Sequence, residues 1–550
     1  MPPVQNSNLF KSSDIFENLA TDTPGLRTPY RVVNPNLANQ LRLDSGLTGL
    51  TERGLAPQVY LDNTASTQIL PPVVAAVDAA RDHYANPHSI NYASAKLTTD
   101  WYKQAHDYAL RFFGANPKTH LAIFNGAGAT GPLNMVAHHL LRINPHPEKT
   151  IVLFGEDAHH ANMLPYRAIS PNGAAIPILT DNNGKIILDH LKALLSAHQN
   201  NIALVALTGA SNVTGYTTDF TQIAHMVHNA GAQLLVDAAQ LAAHQAIHMA
   251  QQGIDYLVMA AHKAYAPSGP GLLIMPKKAA PSIPPIHGGG NVEGVSLDSV
   301  KYTSNLQTDF YEAGTPDPLG AIALHAALKT LTAIGMDRVW EHEKELLSHL
   351  MQGLANIPGL RIYGDTDLQK SPRVGVVAFN LDGLDHGFVS RVLSDYFAIA
   401  TRNGCFCAHP LVSKLMGIDQ TAFMKQVEQI ASGERDKPGM VRASLGVYTS
   451  RGEVNYLLNA LTYIQRHQAE LLKEYKNENG QYSRLDGFDP SQGVITPFQL
   501  AFTEPDAIDL QLAADQEETT SPLSPSETIQ VPALTPLGMA AMTPMGLPSR

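Results

Sequence analysis

The chain has 550 residues, enough for two lobes with extensions, and a hydrophobic content of 44% supports a sizeable core. Charged residues make up only 16%, and the net charge of −11 is unevenly placed: Asn477 to Arg550 holds ten acidic residues against two arginines, a net of −8, which leaves −3 for the rest. Neither part has the basic balance that a nucleic-acid backbone attracts, so that class of partner is excluded.

The two cysteines, Cys405 and Cys407, are one residue apart. A bond between them would be strained, which argues against a disulfide-stapled secreted protein. No apolar stretch reaches the ~20 residues that a membrane helix needs. The opening "MPPVQNSNLFKSSD" lacks the basic-then-apolar pattern of a signal peptide. The expectation is a cytoplasmic protein without a membrane partner.

Residues 1–57 show no sustained period and read as an extension draped over the body. Over 58–317, apolar runs at Ile151–Phe154, Ile202–Leu207, Gln233–Ala239, Asp255–Ala261 and Leu272–Met275 read as buried strands. Phe220–Gly231 between them reads as a helix that Gly231 caps. This alternation predicts a large α/β domain with a mainly parallel sheet, whose ligands sit at the C-terminal strand ends. A smaller α+β domain is predicted over 318–476. It opens with a helix at Ala321–Ile334, continues in strands at Arg373–Leu381 and Ala398–Arg402, and closes in a helix at Glu453–Tyr475. Lys425–Met440 reads as a variable insertion. The Pro, Ser, Thr and acidic residues of 477–550 read as a disordered tail.

Within "YLVMAAHKAYAPSGPGLLIM" the apolar run Tyr256–Ala261 ends in His262 and Lys263. A lysine there either snorkels its ammonium into water or is desolvated, partly neutral and nucleophilic, suited to a Schiff base. Neighbours decide between the two. Asp237 and Gln240 follow an earlier strand, and a strand–crossover–strand unit puts Asp237 and Lys263 at one sheet edge. Pyridoxal phosphate needs that pair: an amine for its aldehyde, and a carboxylate that keeps its pyridine nitrogen protonated. The Gly-rich turn opening Phe124–Leu141 runs into an apolar helix, a pattern that suits a phosphate at a helix start and also occurs in plain turns.

Eight motifs in order carry a family resemblance: "GATGPLN" from Gly128, "EDAHHAN" from Glu156, "SNVTG" from Ser211, "VDAAQ" from Val236, "AHK" from Ala261, "EAGTP" from Glu312, "RNGCFCAHP" from Arg402 and "RASL" from Arg442. The sequence resembles class V aminotransferase-fold enzymes of the cysteine desulfurase and selenocysteine lyase type, from Tyr60 to Tyr448. The resemblance implies the fold type I of pyridoxal-phosphate-dependent transferases: α/β, with a mainly parallel seven-stranded sheet and a smaller α+β domain.

It also implies roles. Lys263 would hold the cofactor aldehyde, Asp237 would pair with the pyridinium nitrogen, Gln240 would bond the ring hydroxyl, and His159 would stack on the ring and relay protons. Ala129, Thr130 and His262 would hold the phosphate, joined by Thr315 of a second subunit in a homodimer. Asn212 and Arg442, with Arg402, would bind the substrate carboxylate. Cys407 stands where the desulfurases carry their nucleophile, in a frame of Arg402, Gly404, Cys407 and Pro410. Near two arginines its thiolate would be favoured. It would take sulfur from cysteine, or selenium from selenocysteine, leave alanine, and pass the sulfur to an acceptor protein.

Cys405 has no place in that frame, although "CFC" also resembles the desulfurase-like domain of molybdenum-cofactor sulfurases. Two cysteines supply too few soft ligands for a metal. Ala260 and Ala129 stand where the family commonly has hydroxyl residues, and Gly131 where an acidic one is common. Two alternatives remain open at this stage: another class V enzyme (aminotransferase, epimerase or C–S lyase), or a non-catalytic scaffold of the same fold.

Overall fold

The computed structural model describes residues 30–32, 55–139, 148–169, 175–279, 285–431 and 437–489. Its principal sheet has seven strands: β1 (His120–Ala127), β2 (Ile151–Gly155), β3 (Ala175–Ile178), β4 (Ile202–Thr208), β5 (Gln233–Asp237), β6 (Tyr256–Ala260) and β7 (Pro270–Pro276). Their spatial order is β3-β2-β4-β5-β6-β7-β1. Neighbours from β3 to β6 run parallel, and β7 runs against both β6 and β1.

Each of the five expected strands is present. β1 and β3 were not anticipated, and both are edges of the sheet. β3 contains Pro177, which removes a ladder donor and is tolerated only at an edge.

Strand residues alternate between two cores, as the two-residue period of a strand requires. Val205, Leu207, Leu234, Val236, Leu257 and Ile274 face one core; Leu204, Ala206, Leu235, Val258 and Leu273 face the other. Burial on both sides explains why β4 reads as one continuous apolar run. The first core is covered by α1 (Pro71–Arg81), α2 (Ala93–Phe112), α4 (Phe220–Asn229) and α5 (Pro318–Ile334). The second is covered by α3 (Thr130–Ala137) and by Tyr166, Phe310 and Tyr311.

α5, read as the first element of the second segment, thus belongs to the core of the large sheet. The chain bends by 77° between α5 and α6 (Met336–Ala355), at Gly335 with φ +93. The start of α6 still packs on the core of the large sheet through Val339, whereas Leu346, Leu347, Leu350 and Leu354 enter a separate one. That core lies against an antiparallel sheet of β8 (Leu360–Ile362), β9 (Val376–Leu381), β10 (Arg402–Gly404) and β11 (Met440–Ser444), ordered β8-β9-β11-β10. α7 (His386–Phe397) and α10 (Arg451–Arg466) complete it, the latter opened by a capping box between Ser450 and Glu453. Val59 and Leu61 also enter this core of the smaller lobe. Val59–Tyr60 pairs in parallel with Ile399–Ala400, which ties the start of the large lobe to the small one.

Three boundaries differ from expectation. The expected insertion begins inside a helix, α9 (Gln420–Ala431), preceded by the short α8 (His409–Leu415). The closing helix stops at Arg466. Tyr475–Glu478 and Gln481–Arg484 then form a hairpin, so the first part of the expected tail is structured. Tyr475 and Tyr482 both pack edge-on against Phe388 of α7, at 5.4 and 5.5 Å between ring centres. Of the 1–57 extension, Tyr30–Val32 pairs with Leu55–Pro57; the rest of the extension, and the tail from 490, lie outside the described residues.

Candidate active site

Strands β2, β4, β5 and β6 end at one cavity of about 300 Å³, which the second lobe closes with Arg402, Phe406, Cys407 and Arg442. β5 and β6 are adjacent and parallel, so Asp237 and Lys263 reach the same edge. Asp237 is buried, and one carboxylate oxygen accepts the Ala239 N–H at 3.1 Å. Burial raises its pKa, with that N–H and Lys263 opposing.

Lys263 closes a single 3₁₀ turn after β6. Burial brings its amine from 10.5 down to about 8; Asp237 opposes the shift and Arg442 adds to it. The amine is therefore partly neutral near neutral pH, the state a nucleophilic lysine needs. His159 lies at the cavity after β2. Its Nδ1 accepts the Ala161 N–H at 3.1 Å, and burial first, then Lys263, takes its pKa down to about 4. It is a neutral ring at neutral pH. Gln240 is buried at the cavity and donates its amide N–H to the Thr64 carbonyl at 2.8 Å.

The other end of the cavity is made of backbone. Gly128, with φ +71, precedes Ala129 and Thr130 at the start of α3. A Cβ on Gly271 of β7 would lie 2.0 Å from the Gly128 carbonyl, so only glycine in β7 lets this turn sit so low over the sheet. Ala129 caps α3 without a side-chain bond. The first-turn N–H groups of such a helix are suited to an anion. His262 stands beside the turn, its Nδ1 3.4 Å from Ser66 Oγ, and burial lowers its pKa.

Arg442 sits inside β11. It donates through Nη1 to the Asn212 carbonyl at 3.0 Å and through Nη2 to Asp62 Oδ1 at 3.3 Å. Its guanidinium lies 4.5 Å over the Phe406 ring. Burial lowers its pKa to about 10, with Asp62 opposing. Arg402 is exposed, and its Nη1 is 3.9 Å from Asp62 Oδ2. Asn212 donates its amide N–H to the Phe406 carbonyl at 2.7 Å. The sequence reading did not single out Asp62, Thr64 or Phe406, although "YLDNTAS" and "CFC" contain them.

Cys407 is exposed at the cavity, with its backbone at φ +54 next to Phe406 at φ +52. Its carbonyl accepts the His160 N–H at 2.8 Å. Cys405 points the other way: it is buried, and its thiol donates to the Pro438 carbonyl at 2.8 Å. Burial pushes that thiol's pKa up. Thr315 is not at this cavity. It is exposed, with Oγ1 3.5 Å from Asn86 Nδ2. The other anticipated site residues line the cavity together.

The family model described as aminotransferase class-V matches residues 59–457. The chain belongs to the class V aminotransferase family. Its curated relatives include a cysteine desulfurase of Dickeya dadantii, 32% identical over 418 residues that cover 74% of this chain and 92% of the relative. A cysteine desulfurase of Salmonella typhimurium is 31% identical over 416 residues, covering 74% and 94%. Among solved structures, the apo cysteine desulfurase of Thermococcus onnurineus NA1 superposes with a TM-score of 0.65 at 29% identity, covering 74% of this chain and 95% of that one. The cysteine desulfurase CsdA of Escherichia coli, in an S-sulfonic acid form, gives 0.61 at 25% identity, covering 80% and 99%.

Class V aminotransferases depend on pyridoxal phosphate. The donor set here fits that group: an amine of lowered pKa, a buried carboxylate on the next strand, and a helix start with an open first turn. Thr64 Oγ1, also at the cavity, is buried without a partner among the described residues. Ala260 and Ala129 add no hydroxyl, so Thr130, His262 and backbone N–H groups would carry the phosphate.

Proposed function

We propose that this class V enzyme is a cysteine desulfurase that moves the sulfur of L-cysteine onto Cys407 and releases alanine. One observation carries the reading: an exposed thiol, Cys407, lines the same cavity as Lys263, Asp237 and Arg442. The kinship with enzymes named cysteine desulfurase supports it.

Pyridoxal phosphate, when bound, supplies an aldehyde for an amine and a ring that accepts electrons. Lys263 would hold that aldehyde until an amino acid displaces it, and its freed amine is then a base for the Cα proton. Asp237, as the carboxylate, would keep the ring nitrogen protonated. His159, neutral at working pH, is suited to stack and to relay a proton. Arg442 and Asn212 would bind the amino acid's carboxylate, with Arg402 at the mouth. Cys407 would attack the substrate sulfur. A sulfur–sulfur bond forms, the carbon–sulfur bond breaks, and the carbon takes a proton. The products are alanine and a persulfide on Cys407, ready for an acceptor thiol. Selenocysteine would enter the same path.

We infer a homodimer in the reducing cytoplasm. The hairpin of Val292–Val295 and Val300–Tyr302 exposes Val295, Leu297 and Val300, an apolar patch suited to a second copy, and both thiols are free. An acceptor protein would dock at the open Cys407 side.

The purified protein should show a visible absorption band that borohydride removes and that Lys263→Ala lacks. Cys407→Ala should keep the band and lose alanine and sulfide release from cysteine. Retained turnover in Cys407→Ala would instead indicate another chemistry of the fold.

A further inference from the structure

The residues that would bind the substrate carboxylate are engaged with the nucleophile's loop. The Asn212 amide N–H donates to the Phe406 carbonyl at 2.7 Å, and the Arg442 guanidinium covers the Phe406 ring at 4.5 Å. Arg442 also donates to the Asn212 carbonyl, which joins the three residues in one closed set. The loop they hold is strained: Phe406 and Cys407 are consecutive side-chain-bearing residues in the left-handed region, at φ +52 and +54. Such a conformation persists only where surrounding contacts impose it. The contacts around it are these, the His160 N–H on the Cys407 carbonyl, and the Ala408 N–H on the Cys405 carbonyl at 2.9 Å, which closes the turn itself.

We propose that Phe406 is a latch, a positioning residue through which substrate binding releases Cys407. The inference rests on the functional reading above. A carboxylate arriving at Arg442 and Asn212 competes for the donors that hold Phe406. It offers a stronger, charge-assisted partner than a carbonyl or a ring face. Once it binds, the ring loses its cation and the carbonyl its donor, and the strained turn relaxes. Cys407 then becomes free to move at the moment an amino acid is present, and is restrained when none is. Asp62 assists by holding Arg442 near the latch, at 3.3 Å.

The test is the rate at which iodoacetamide alkylates Cys407 in the holoenzyme, read on the Cys407 peptide by mass spectrometry. L-Alanine, which has the carboxylate and no sulfur, serves as the probe. Saturating alanine should speed alkylation of the wild type on the order of tenfold, in keeping with the strength of the cation–π interaction that it displaces. Phe406→Leu should be fast without alanine and gain little from it, whereas Phe406→Tyr, which keeps the ring face, should restore the slow rate and the response. If alanine shifts the cofactor's absorption band but leaves alkylation unchanged, the latch is wrong and the functional reading survives. Should alanine leave the band itself unmoved, amino-acid binding fails and the latch with it. A wild-type rate in Phe406→Leu also overturns the latch.

Discussion

Lys263 owes its chemistry to its surroundings. Burial, only partly offset by Asp237, takes its pKa from 10.5 to about 8 in the apoprotein. The folded value lies below the unfolded one, so the unfolded chain binds more protons between about 8 and 10.5. The penalty from this group is full below about 8 and is relieved as pH rises through that window. The same shift governs capture of pyridoxal phosphate, which needs the neutral amine. The rate of cofactor uptake by the apoprotein, followed by absorbance, should rise with pH with a midpoint of about 8. A midpoint near 10.5 would mark an ammonium held in open solvent. His159 illustrates the same point from the other side: a histidine is the usual switch near neutral pH, and here burial removes that switch by bringing it to about 4.

Among the elements, the approach of α3 to β7 holds the anion end of the cavity. Gly271→Ala would place a Cβ 2.0 Å from the Gly128 carbonyl. Forced overpacking of this kind costs about 1–3 kcal/mol, and here the strain falls on the turn that would carry the phosphate. We expect a lower melting temperature and faster loss of cofactor on dialysis. Gly288→Ala, with nothing within 4 Å of its new carbon, should change neither. Two of the elements that sequence reasoning missed have a common cause. β3 holds a proline, and the structured part of the tail is short and polar. In both, neighbours supply the order that local pattern does not. Tyr475 and Tyr482 become a hairpin because Phe388 is there to pack on.

At the scale of the molecule, the site is shared. The large lobe brings Lys263, Asp237 and His159; the small lobe brings Arg442, Arg402 and Cys407. Thr315 stands outside the cavity of its own chain, as a residue serving a second subunit would. If it acts across a dimer, Thr315→Ala should weaken cofactor retention, and mixing should reveal the sharing. Lys263→Ala should be inactive in its own site but would still present Thr315. Exchanging subunits of Lys263→Ala with those of Thr315→Ala should raise activity above either parent. No recovery, with mixed dimers verified by mass, would show that Thr315 does not act in trans.

The lysine, its partner aspartate and the Gly-rich turn were legible because each is a local signature. A strand end followed by a chemically distinctive residue keeps its meaning wherever the strand is placed. The parallel sheet was legible for a related reason, since strands buried on both faces must be continuously apolar. Arg442, Asp62, Asn212 and Phe406 had no such signature for their mutual contacts. Asp62 and Arg442 are separated by 380 positions in the chain. Their meeting depends on Val59–Tyr60 crossing to pair with the small lobe, a long-range pairing that no local period encodes. The amino-acid order by itself determined which groups are available to react. The packing of two lobes decided which of them are neutral, which are held, and what must let go before the thiol can move.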